Sequence, residues 1–80
     1  RVVPAEELMD AALALAEEIA ANAPIALRGT KELAYKSVDM ELSEAFALSN
    51  QIRDRVKQSE DSKEGPRAFA EKRAPVWKNR

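Results

Sequence analysis

Leu8, Ala12, Leu15 and Ile19 recur at steps of four, three and four, which is one face of an α-helix. Val3 precedes a proline and is pushed to extended geometry. Pro4 suits a first helical position, where its missing N–H is no loss. Glu6 and Glu7 follow where the helix dipole favours acid. The pattern predicts a first helix over about 4–22, closed by Asn22. Pro24 restarts the chain, and Ala26, Thr30, Leu33, Ser37 and Met40 form one stripe of a second helix over about 24–38, flanked by Ile25 and Leu27. Gly29 inside it weakens the helix by about 1 kcal/mol relative to alanine, which points to a close helix–helix approach. Leu42, Ala45, Ser49, Ile52 and Val56 line a third helix over about 42–58, with Phe46 and Leu48 beside them and Arg53, Asp54, Arg55 and Lys57 on the solvent side. Ser59-Glu60-Asp61-Ser62 is rich in capping residues. A cap at Ser62 leaves Pro66 at the end of the first turn and gives a short fourth helix over about 62–73. Ala74-Pro75 ends it, and Val76 to Arg80 reads as an extended tail. No strand pattern follows Val3, so the fold class expected is all-α, an array of three to four short helices.

Composition limits what this array can do alone. Of the 80 residues 45% are hydrophobic, but 15 of them are alanine, and Leu, Ile, Val and Phe together number only 17. A chain of this size buries too little apolar surface to stand easily by itself, so a partner surface is implied. The net charge of −1 gives no sign of nucleic acid. No apolar run approaches the roughly 20 residues that a membrane span needs. The opening Arg1-Val2-Val3-Pro4 reads as the middle of a longer protein. Charge is uneven, however. From Arg67 onward, Arg67, Lys72, Arg73, Lys78 and Arg80 face Glu71 alone, either as a solvated basic tail or as an anion site.

With no cysteine and no histidine, disulfides, thiol chemistry, a histidine base and a zinc site built on these residues are excluded within the chain. The acidic pairs Glu6-Glu7, Glu17-Glu18 and Glu60-Asp61 are adjacent on helices and diverge by about 100°. Two of them sit where helix starts want acid, so they read as structural. No hydroxyl has an adjacent base to activate it, and neither a catalytic residue nor a metal site is expected. Phe69 and Lys72, three apart on the expected helix, share a face, with Arg73 on the same side. An aromatic beside a cation is suited to an adenine or acyl group next to a phosphate; the same pair also fits an aromatic anchor with solvated neighbours.

The segment from Ser59 to Trp77 resembles the C-terminal pattern of the enoyl-CoA hydratase/isomerase (crotonase) family, roughly S-E-D-x-x-E-G-x-x-A-F-x-E-K-R-x-P-x-aromatic. The matching positions are Ser59, Glu60, Asp61, Glu64, Gly65, Ala68, Phe69, Glu71, Lys72, Arg73, Pro75 and Trp77. Val2-Val3-Pro4, Ala21-Asn22-Ala23-Pro24 and Thr30-Lys31 are similar to the same family upstream, so the resemblance covers all 80 residues. Pro66, Ala70 and Trp77 depart from the usual residues. The resemblance implies a C-terminal helical trimerisation domain without its ββα core, cut from an enoyl-CoA hydratase of fatty-acid β-oxidation. It implies a CoA thioester as substrate rather than a cofactor, an oxyanion hole and catalytic glutamates elsewhere, and Phe69 and Lys72 at the CoA site. It also implies a homo-oligomeric parent (trimer or hexamer), self-association of the fragment, no nucleic-acid or membrane partner, and a cytoplasmic location. The 80 residues alone are expected to be inactive. An enoyl-CoA isomerase or another acyl-CoA enzyme of the family is the nearest alternative, and a stand-alone self-associating helical module is the alternative of another class.

Overall fold

A computed structural model describes residues 1–80. Four α-helices make up the fold: α1 (Leu8–Ala20), α2 (Pro24–Lys36), α3 (Leu42–Lys57) and α4 (Asp61–Ala70). Short 3-10 turns at Ala5–Glu7 and Ser37–Asp39 lead into α1 and out of α2. Pro4 therefore opens a tight turn, closed by Glu7 N–H donating to the Pro4 carbonyl at 3.0 Å, rather than α1 itself. Asn22 finishes α1 by donating its amide to the Ile19 and Glu18 carbonyls at 3.0 and 3.3 Å. Pro24 is the first residue of α2. Glu41 and Glu44 form a reciprocal capping box at the start of α3, with Glu41 N–H donating to Glu44 Oε2 at 3.2 Å.

The packed pair is α2 against α3. Gly29 is buried in this contact, and a Cβ there would lie 2.7 Å from Ile52 Cγ2 and 3.7 Å from Val56 Cγ2. The glycine thus permits the close approach that its mid-helix position suggested. Ile52 is buried, whereas Phe46 is 62% exposed and belongs to no core within this chain.

α4 departs from expectation at both ends. It starts at Asp61, not after a Ser62 cap, because Ser59 supplies the hydroxyl that accepts Ser62 N–H at 3.2 Å. The single Ser62 Oγ–H is instead shared between the Ser59 and Lys57 carbonyls, at 2.7 and 2.9 Å. Pro66 consequently sits inside the helix. Gly65 before it has no Cβ to clash with the proline ring, which is the steric reason a helix tolerates that step. α4 ends at Ala70, so Lys72 and Arg73 lie beyond it in a turn and not on a helical face shared with Phe69.

The expected C-terminal trimerisation domain is corrected on physical grounds. The helices are present, but they enclose no domain core. Ile52 and Ala68 are the buried hydrophobic residues. The radius of gyration is 15.9 Å, against about 12 Å for a compact chain of this length. The stripe Leu8, Ala12, Leu15 and Ile19 is exposed throughout α1. The structure is an open helical layer, 43 × 40 × 18 Å.

Candidate functional site

The chain after α4 folds back along the helix it has just left, held by carboxylates at the helix start. Asp61, 2% exposed, accepts Lys78 N–H at 2.7 Å on one oxygen and Asn79 N–H at 2.9 Å on the other. The Arg80 carbonyl accepts Glu60 N–H at 2.7 Å and Asp61 N–H at 3.2 Å. The open amide ends of α4 and of the tail therefore satisfy one another. Trp77 lies over Gly65, its ring 3.4 Å from where a Cβ would be, and donates Nε1–H to the Ala21 carbonyl at 2.8 Å. That bond ties the tail to the end of α1. Arg28 of α2 donates to Asn79 Oδ1 at 2.5 Å.

At the centre is Glu64, 5% exposed. Its Oε1 accepts Arg73 Nη1–H at 2.5 Å and Val76 N–H at 3.0 Å. Its Oε2 accepts Arg67 Nη2–H at 2.5 Å and Nε–H at 3.1 Å, and Arg73 Nη2–H at 3.3 Å. Arg73, then the Val76 N–H, then Arg67 hold the Glu64 carboxyl well below the usual carboxylate range. Arg73 is raised in turn, first by Glu64 and then by Glu71, to which it donates at 2.6 Å. Every oxygen of this buried charge is hydrogen-bonded, as a buried ion requires.

The turn after α4 leads directly into this clasp. Arg73 N–H donates to the Ala68 carbonyl at 3.0 Å and Lys72 N–H to the Phe69 carbonyl at 3.1 Å. Lys72 has φ 53°. This is a Schellman ending with lysine in the left-handed position that glycine usually fills. Phe69 is 87% exposed, Lys72 is exposed and no carboxylate pairs with it. The two residues expected at a binding site are thus brought into one tight turn by the Lys72–Phe69 backbone bond. Arg73, expected beside them, turns inward to Glu64.

Sequence reasoning took Asp61 for an acid at a helix start and gave Glu64 no task. Both are anchors of the tail. The signal for Glu64 was its i,i+3 spacing to Arg67; burial and the partner at Arg73 depend on the fold-back and leave no local trace. No group of His, Cys, Asp or Glu is arranged to hold a metal. No helix is long and apolar enough to cross a membrane.

Comparison with known proteins places this arrangement. The family described as enoyl-CoA hydratase/isomerase matches residues 1–80. A carnitinyl-CoA dehydratase of Proteus mirabilis is 45% identical over 84 residues, covering 100% of this chain and 32% of that protein. An enoyl-CoA hydratase, EchA19, of Mycobacterium tuberculosis is 46% identical over 79 residues, covering 99% of this chain and 30% of that protein. Among solved structures, an enoyl-CoA hydratase from Bacillus anthracis superposes with a TM-score of 0.94 at 37% identity, over 99% of this chain and 31% of that one. A probable enoyl-CoA hydratase/isomerase from Mycobacterium abscessus does so at 0.91 and 45%, over 100% of this chain and 32% of that one. The chain spans about a third of the length of the relatives it matches. The assignment to a C-terminal trimerisation domain is withdrawn on this finding as well: the match is to a segment of about a third of each relative and assigns it no such role.

Proposed function

The chain belongs to the enoyl-CoA hydratase/isomerase family, and from that premise we propose that it is part of an enzyme adding water to, or removing it from, an α,β-unsaturated CoA thioester. The observation that carries this reading is the exposed Phe69–Lys72 turn, in which the Lys72 N–H donates to the Phe69 carbonyl at 3.1 Å and the lysine pairs with no carboxylate. A compact ammonium suits a phosphate, and an exposed ring suits an adenine or acyl group. In this reading Lys72 meets a phosphate of the CoA moiety and Phe69 lies against its apolar part. The chain holds no His or Cys, and Glu64 is engaged by two arginines and an amide, so it is no proton carrier. The groups that act on the thioester belong to the remainder of the enzyme, and the 80 residues alone are inactive. Association with like subunits and a cytoplasmic location accompany this reading.

Hydration is favoured over isomerisation because the similar proteins include both a hydratase and a dehydratase, which share one addition–elimination reaction. The test is the full-length protein with crotonyl-CoA. Loss of the conjugated enoyl absorbance with formation of the 3-hydroxyacyl thioester is expected; double-bond migration without water uptake would replace hydratase by isomerase. Lys72→Ala in the same protein should weaken CoA-thioester binding more than folding, since an exposed cation contributes little stability.

A further inference from the structure

The left-handed position at Lys72 demands an explanation. An L-residue there is disfavoured relative to glycine, and such conformations persist only where the surroundings over-determine them. The surroundings are specific. α4 fixes the chain up to Ala70. Downstream, Arg73 is pinned to Glu64 through its side chain and Val76 through its N–H. Lys72 bridges these two fixed points. Arg73 also engages Glu71, the acid next to Lys72 in sequence, at 2.6 Å.

We propose that Glu64 is a positioning residue for CoA-thioester binding: its buried carboxylate, through Arg73 and the Val76 N–H, locks Lys72 in the left-handed turn and leaves its ammonium free for the ligand's phosphate. This rests on the reading of Lys72 as a phosphate contact. It adds that the contact is delivered by a residue that never touches the ligand, and that a lysine stands where glycine would fold more easily because the side chain is needed there.

Isothermal titration of the full-length protein with acetyl-CoA tests it. Glu64→Ala should weaken binding by about ten-fold, as expected for a lost charge-assisted contact. The loss should be largely absent when Lys72 is already alanine. Glu64→Gln, which retains an acceptor for Val76 N–H and Arg73, should restore most of the affinity. Should Glu64→Ala fail to fold, Arg73→Gln removes the same clasp from its more exposed side and should give the same loss and the same non-additivity. Losses that add in full to that of Lys72→Ala overturn the proposal, since a merely structural anchor would act independently of the lysine. If Lys72→Ala itself leaves binding unchanged, the phosphate-contact reading falls and takes the positioning role with it. If Lys72→Ala weakens binding while Arg73→Gln and Glu64→Ala do not, only the positioning role falls.

Discussion

Lys72 and Glu64 show how much of this chain's behaviour rests on single residues. Replacing Lys72 by glycine relieves the left-handed backbone and should raise the unfolding free energy by about 1 kcal/mol, while removing the cation; chemical denaturation of the full-length protein checks the gain. An unchanged or lower midpoint would show that the turn carries no strain. Glu64 makes a pH-dependent contribution. Its carboxyl is held below its ordinary value of 4.5 in the folded state, so its stabilisation is fully present above that value. The contribution is lost as pH falls from there towards the depressed folded value. Glu64→Gln removes the titrating charge. The gap in melting temperature between wild type and Glu64→Gln should therefore be widest near neutral pH and narrow progressively below about pH 4.5. A gap that stays constant down to acid pH would deny the carboxylate its role in the clasp.

At the scale of the helices, Gly29 and Pro66 pull against helix propensity for different reasons. Alanine at Gly29 gains about 1 kcal/mol of propensity, but its methyl would meet Ile52 Cγ2 at 2.7 Å. A β-branched side chain in a helix has little rotamer freedom to yield, and overpacking of this kind costs about 1–3 kcal/mol. Gly29→Ala should lower the melting temperature of the full-length protein; a rise would mean that α2 and α3 can part without cost. Pro66 makes no closing contact of that sort. It removes one helical hydrogen bond at a cost of about 3 kcal/mol, offset by up to about 1 kcal/mol through the restricted unfolded chain. Pro66→Ala should stabilise α4 by about 2 kcal/mol, measured as slower amide exchange in residues 61–70. Periodicity made the four helices legible because apolar spacing and prolines are local signals. The start of α4 was misplaced because Ser59 and Ser62 are both good caps, and the choice between them depends on the tail that returns to Asp61. The end of α4 was misplaced because nothing local marks a lysine as left-handed; the downstream pins at Arg73 and Val76 impose it. Phe69 and Lys72 were expected on one helical face, but the helix ends at Ala70 and a backbone bond holds them in a capping turn instead.

The whole molecule exposes 6622 Å², about 1,800 Å² more than the roughly 4,800 Å² of a compact protein of this mass. The excess includes α1, where Leu8, Met9, Leu13, Leu15 and Ile19 are all exposed, and Leu42 and Phe46 on α3. That many large apolar side chains exposed along α1 and the start of α3 point to surface meant for burial, and two buried hydrophobic residues cannot offset the chain entropy lost on ordering 80 positions. The polar clasp at Glu64 and Asp61 fixes the tail, but ion pairs of this kind do not replace a hydrophobic core. Burial must therefore come from other surfaces, whether the remaining two thirds found in the relatives or further copies of the chain. Expressed alone, the 80 residues should be aggregated or associated, bind 8-anilinonaphthalene-1-sulfonate strongly, and show no single cooperative melting transition at low concentration. Sedimentation equilibrium together with calorimetry measures this directly. A monomer with a sharp transition would show that alanine-rich helices can hold the open layer together without covering α1, and the need for a partner surface would then be wrong for this fold.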